Sequence, residues 1–381
     1  MQIFKNNEDV SAIHNRAISL LIGKDFAEKT NGKISMADHQ DSEQFNRRRE
    51  LLEIEEEANK NKIIRAHGQN HFKAQVMEQF FTKVNKKVNA VFENKDSLYN
   101  DILNIEEAAP SVLELLCLRA TSIKRIFPLI HSLPWLSAEL INLVNKPQYR
   151  KRADVQVNDA NLALSYVGLD NLKLVMPTFI LKHWLPATTS PFALLKRKLW
   201  NNSLSIALAS SVLAEQEGLD KFTAFSAGML SNIGYLAVTR CFLQTYNKLY
   251  KSELQATYTN KDKKLHDVLV EFDSSPELLL EKLSHYSDKI TADMVELMRF
   301  DRLQVTEPLF DLAYTTEFKD MSPIAKVVAK AKTYVMFRSL AKEDLISKDE
   351  TKQLLSVVKM SASNINLLNK SDIDHIKLIF K

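Results

Sequence analysis

The chain reads as all-α, a helical module preceded by a helical extension, and three observations predict it. Only seven glycines occur among 381 residues, too few for architectures built on glycine-rich turns such as Rossmann units, P-loop enzymes and β-sandwiches. Leu, Lys, Ala, Glu, Ile and Asn dominate, and most of these suit helices. Apolar residues recur at three- and four-residue spacing through much of the chain, which stacks them on one helix face.

The elements follow in order. Glu8 to Leu21 reads as a short amphipathic helix ending at Gly23, and Asn31-Gly32 marks a turn. From Asp41 to about Arg65 the chain is densely charged, with Glu43 and Arg47, Arg49 and Glu53, and Glu56 and Lys60 spaced to face one another at i, i+4. Phe72, Val76, Phe80, Val84, Val88 and Phe92 then form a stripe at fourfold spacing. Such a stripe either packs into the core, here against the charged helix, or serves as a docking or dimerisation surface.

A boundary is expected near residues 95–105, dividing a helical extension (1–100) from a second part (101–381). Pro110 opens denser helical text, punctuated by Pro128, Pro134, Pro147 and Gly168. Trp184 to Phe192, with two prolines, is the clearest internal connector. The next helix carries Leu204, Leu208 and Val212 on one face and stops at Gly218. Asp220 caps another, with Phe222, Phe225, Met229, Ile233 and Leu236 inward. After Thr245 the text is polar until Ser322-Pro323 opens a final group of helices.

Charge excludes little. The net charge of +4, without a basic arm or acidic tail, gives no reason to expect a nucleic-acid partner. The clusters at Arg150-Lys151-Arg152 and Lys196-Arg197-Lys198 read as solvated surface. Cys117 and Cys241 are far apart and form no C-x-x-C pair, so a disulfide framework or structural zinc is not expected. The first residues lack the charged-then-apolar order of a signal peptide, and no apolar run approaches the ~18 residues of a membrane span. A cytoplasmic location, with no membrane partner, is the expectation.

Four phrases in the second part carry a resemblance. Leu133 to Asn145 is similar to a "D-P-x-L … L-L-x-x-x-N-S" helix, with Leu133 in place of the acid and Lys146 in place of the serine. Ala160 to Leu172 is similar to "A-I-x-x-L-G-x-x-x-L", Trp200 to Ser203 to "W-x-H-S", and Ala224 to Gly234 to "A-F-x-A-G-L-L-H-D-I-G". In this order and spacing, over roughly residues 105–340, they resemble the HDOD family, bacterial regulatory relatives of the HD-type metal-dependent phosphohydrolases.

In the catalytic relatives the histidine of W-x-H-S and the histidine–aspartate pair bind divalent metal, because imidazole and carboxylate suit such ions and the metal makes hydroxide available at neutral pH. Aligned by motif, this chain has Asn202, Ser231 and Asn232 there. Three neutral side chains supply no charge to hold a cation and no general base. No catalytic residue, metal or cofactor is therefore expected. The three could instead hydrogen-bond one another, or line a relict pocket for a nucleotide or other small polar ligand with Trp200 as one wall.

His266-Asp267 and Asp374-His375 lack the motif's surroundings and read as coincidences, and neither His285 nor Asp301 receives a role. Cys117 and Cys241 read as core residues and Asn145 as a helix-end hydrogen bonder. The resemblance implies a signal-transduction scaffold or adaptor that binds a protein partner, with self-association open. Phe72, Val76, Phe80, Val84 and Val88 are the best contact surface. The alternatives are an HD-type phosphohydrolase using other ligands and a small-ligand sensor.

Overall fold

Asn7 fixes where the first long helix starts, since its side-chain oxygen accepts from the backbone N–H groups of Asp9 and Val10. The computed structural model describes residues 1–31, 53–150, 156–272 and 274–380, with 53–69 as backbone only. Before Asn7 lies α1 (Gln2–Lys5), after it α2 (Glu8–Ile22) and α3 (Lys24–Thr30). The break at Gly23 stands where the sequence places it.

The expected charged helix lies outside the described residues as far as 52, and its i, i+4 side-chain pairs lie outside them altogether. From Glu53 the chain is helical without interruption to Phe92, as α4 (Glu53–Phe92). The charged segment and the apolar stripe are thus one helix along this length, and the stripe packs elsewhere.

The chain continues through α5 (Lys95–Ser97), a π-turn over Leu98–Leu103, α6 (Ala108–Cys117), α7 (Ile123–His131), α8 (Pro134–Val144) and α9 (Ala160–Trp184). Next come α10 (Leu195–Gln216), α11 (Lys221–Leu230), α12 (Ile233–Thr259), α13 (Lys263–Val270) and α14 (Pro276–Leu297). The last helices are α15 (Thr306–Tyr314), α16 (Pro323–Lys342), α17 (Lys348–Val357) and α18 (Ala362–Lys370), followed by an extended tail. No strand occurs among the described residues, so the fold is all-α.

The centre is a helical layer in which α10 packs on α11 and α16, and α12 packs on α14. Two glycines allow the closest approaches. A methyl group on Gly228 would stand 2.8 Å from the Ala207 Cα, and one on Gly234 would stand 1.9 Å from the Ser287 carbonyl oxygen. Backbone contact of this kind tolerates no side chain, and both glycines belong to the A-G-x-x-x-x-x-G part of the fourth phrase.

The expected division near residues 95–105 does not separate two cores. α2 packs on α14, α16 and α17, and α4 packs on α12, α13 and α14. Met1, Phe4, Ile13, Phe80, Val84 and Val88 are buried in the same apolar cluster as α10, α12 and α16. The physical reason is that the stripe of α4 needs an apolar partner, and α12 supplies one through Tyr246 and Tyr250. Phe80 meets Tyr246 edge-on at 5.5 Å and Phe272 at 5.9 Å, while Lys83 pairs with Glu253 at 2.7 Å on the rim.

Candidate functional site

The motif-aligned residues meet where α10, the α11–α12 junction and α16 converge. Trp200 and Asn202 lie on α10, Ser231 ends α11, and Asn232 is the residue before α12. Asp220 holds α11 in register through its carboxylate, which accepts from the Thr223 backbone N–H at 2.7 Å.

Asn232 is buried, and its amide is fully engaged. Its nitrogen donates to Asn202 Oδ1 at 2.8 Å and to Ser203 Oγ at 3.1 Å. Its oxygen accepts from Lys332 Nζ at 3.3 Å, and the same ammonium donates to the Ser231 carbonyl at 3.1 Å. Ser231 turns its hydroxyl back to the Gly228 carbonyl at 2.8 Å. The structure therefore brings Asn202, Ser231 and Asn232 together, with Trp200 beside them on the wall of an adjoining cleft.

Sequence reasoning missed Lys332. It is only 9% exposed, and its ammonium stands 5.7 Å from the centre of the Tyr235 ring. Burial pulls its pKa down and Asp288 pulls it back up. A signal existed in the sequence: Ala325, Val328 or Ala329, Lys332 and Met336 share one face of α16, so this lysine stands in an apolar row.

Asp288, His14 and Tyr235 complete the polar cluster. Burial pushes the Asp288 carboxyl up, but the Met1 ammonium, 2.6 Å away, and Lys332 outweigh it and hold the group well below the usual carboxylate range. His14 lies on α2 with its Nε2 3.5 Å from Tyr235 Oη, and burial lowers its pKa to about 3. The cluster thus holds one carboxylate beside two amines, with a neutral imidazole. The Asp288 charge is balanced by groups of the chain itself.

Those donors do not fit a divalent metal. Two amides and a hydroxyl are weak ligands without charge, and an ammonium already bonds one of the oxygens a cation would need. Among the described residues no group of three or more His, Cys, Asp or Glu stands together.

His266 is half-buried and Asp267 exposed on α13, 3.9 Å apart, and His285 is exposed against Tyr286. Asp374 binds Ser205 and Arg338, not a metal set. Asn145 ends α8 and pairs with both the N–H and the carbonyl of Val157. Burial raises the thiols of Cys117 and Cys241, the latter to about 12, which leaves neither thiol activated as a nucleophile. Phe80, Val84 and Val88 are taken up by packing within the chain, and Phe72 and Val76 are half-buried. Lys264 stands over the Phe72 ring at 4.3 Å.

The cleft beside the cluster has a volume of about 1400 Å³. His14, Asn202, Asn232 and Lys332 line it, together with Lys24, Arg197, Lys198, Arg338 and Lys342 against the acids Glu343 and Asp374. Lys24 is paired with Glu343 at 2.8 Å and Arg338 with Asp374 at 3.1 Å, so part of this positive excess is balanced. No helix among the described residues is long and apolar enough to cross a membrane.

Residues 102–275 match the family model described as the HDOD domain. No curated protein matches the chain. An HDOD domain protein of unknown function from Geobacter sulfurreducens is 18% identical, covering 76% of this chain and 91% of that one with a TM-score of 0.45. A Shewanella amazonensis protein provisionally described as a phosphohydrolase is 18% identical over 72% and 91%, with a TM-score of 0.43. A Marinobacter aquaeolei protein provisionally described as a signal transduction protein is 16% identical over 76% and 65%, with a TM-score of 0.44. The matched stretch runs from the end of the π-turn to the residue before α14 and includes Asn202, Ser231 and Asn232, and over it the chain is similar to the HDOD domain.

Proposed function

We propose that the chain is a non-catalytic signal-transduction protein whose HDOD domain acts as a scaffold or adaptor. The carrying observation is the Lys332 ammonium bonded to Ser231 and Asn232, the two positions aligned with the histidine–aspartate pair of the catalytic relatives. A fixed internal cation there satisfies the local acceptors, and it repels the divalent ion that phosphoryl hydrolysis in those relatives requires. The burial of α2 and α4 against the domain also supports a rigid body that presents its outer surface to a protein partner.

The test has two arms. Protein purified without chelator is assayed for metal by elemental analysis and for hydrolysis of phosphate mono- and diesters with added manganese, iron or nickel. Sub-stoichiometric metal and no turnover are expected, and near-stoichiometric metal with turnover overturns the reading. Cross-linking in the source cells with the full chain, followed by reconstitution from purified components, then checks for a discrete partner. Failure to reconstitute any complex removes the adaptor role.

A second reading rests on the cleft. With Trp200 on its wall and more cations than acids around it, it suits a small polar anion such as a nucleotide. Calorimetry across a nucleotide panel decides this, saturation supporting a sensor and flat traces removing it.

A further inference from the structure

A separate hollow of about 560 Å³ lies alongside the cleft, within the size range of small-molecule sites. Val175 and Phe179 of α9, Leu185 just after it, and Trp200 of α10 build its apolar wall. Ile376 and Leu378 of the C-terminal tail close the other side.

That tail is firmly placed. The Asn171 side chain accepts from the Ile379 N–H at 3.0 Å and donates to its carbonyl at 2.9 Å, as a neighbouring strand would. Phe380 packs on Tyr149 and Tyr166 at 4.9 and 5.1 Å. The hollow is therefore a built feature of the fold, its tail side held by side-chain pairing with α9.

Its polar rim has one sign. Lys146, Lys182, Lys196 and Arg197 line it, and among the described residues no Asp or Glu does. Lys182 faces Glu139 at 3.5 Å, and Lys196 donates to the Ala187 carbonyl at 3.1 Å. Among the described residues, the side chains of Lys146 and Arg197 have no hydrogen-bond or ion-pair partner.

An apolar wall under an all-cationic rim matches a ligand with a hydrocarbon body and one anionic head. The hydrocarbon leaves water against Val175, Phe179 and Trp200, while the head stays at the rim near Lys146 and Arg197. We propose that this hollow binds a medium-chain carboxylate, the chemistry of a free fatty acid. Binding here is independent of whether the HD-like cluster is catalytic, because Asn202, Ser231, Asn232 and Lys332 do not line the hollow and only Trp200 is shared with the motif-aligned residues.

The probe is decanoate, titrated by calorimetry into the full chain below the concentration at which it forms micelles. Decanol and decyltrimethylammonium serve as neutral and cationic controls of the same chain length. One saturable decanoate site is expected, with both controls weaker by roughly tenfold or more. K146E/K196E, whose residues line the hollow and not the cleft, is expected to weaken decanoate by roughly tenfold or more. K342E, on the cleft alone, is expected to leave it unchanged, and circular dichroism confirms that both variants fold. Absence of a saturable site, equal binding of the cationic control, or indifference to K146E/K196E each overturns the proposal.

Discussion

The Lys332 ammonium donates to Asn232 Oδ1 at 3.3 Å, and Asn232 in turn donates to Asn202 Oδ1 at 2.8 Å. A chain of hydrogen bonds thus runs from α16 through the α11–α12 junction to α10. None of Asn202, Ser231 and Asn232 is left unsatisfied. Their polar groups are bonded to one another and to a cation supplied by the fold, as buried polar groups require.

This arrangement predicts what placing histidine and aspartate at these positions would do. The triple change N202H/S231H/N232D is expected to show no saturable manganese binding by calorimetry, because Lys332 would pair with the new carboxylate. Adding Lys332→Met removes the competing charge, and saturable binding is expected to appear. Lys332→Met alone is expected to lower stability by about 1–3 kcal/mol, since Ser231 and Asn232 lose their donor in a buried setting. Urea unfolding measures that loss, and manganese binding by the triple variant with Lys332 intact would contradict the account.

The pH dependence follows from His14. Its folded pKa is lowered to about 3, so between that value and the ordinary value near 6.5 the unfolded chain binds a proton that the folded chain rejects. The stabilisation is present above the unfolded pKa and is lost as pH falls toward the folded one. For this group the slope approaches about 1.4 kcal/mol per pH unit. Asp288, also depressed, acts in the same direction but only below the usual carboxylate range. Between about pH 4.5 and 7 the difference between the native chain and His14→Gln isolates the histidine. Urea midpoints across that window are expected to converge on acidification, and parallel curves would remove His14 from the account.

Gly234 offers a steric test. Its missing side chain allows α12 to lie against the backbone of α14, with only 1.9 Å available between a built methyl carbon and the Ser287 oxygen. Gly234→Ala is expected to cost about 3 kcal/mol, the upper end of overpacking effects. Gly218, left-handed but open around its Cα position, is a suitable contrast: strain there comes from the backbone alone, so Gly218→Ala is expected to cost less when thermal melts of the two variants are compared.

How much of this was legible follows the range of each interaction. The stop at Gly23, the break at Gly168 with its φ of 75°, the Asp220 cap and the connector after Trp184 are local, and the residues announce them. The motif alignment also placed Asn202, Ser231 and Asn232 together before any coordinates did. What escaped was long-range. Nothing local says that α2 meets α14, so the His14–Asp288–Lys332 cluster could not be assembled from sequence. Lys332 was hidden because lysine on a helix usually snorkels to solvent, although its apolar neighbours at i−4 and i+4 were visible. The continuity of α4 was masked by Gly68 and the polar residues around it, a weak helix text that the long helix carries through.

The stripe of α4 yields the sharpest separation between packing and docking. Phe80 is 3% exposed, with the Tyr246, Tyr250 and Phe272 rings all within 6.4 Å of its own. Truncating such a residue removes transfer free energy and leaves a cavity, because the aromatic neighbours on α12 and in the connector after α13 collapse only in part. Phe80→Ala is therefore expected to lower stability by about 3–5 kcal/mol in urea unfolding. A residue whose task is to meet a partner behaves differently, since its truncation changes stability by no more than about 0.5 kcal/mol while abolishing the complex. If Phe80→Ala unfolds like the native chain yet loses a reconstituted partner, the stripe is a docking surface and its packing against α12 is the part that must be revised.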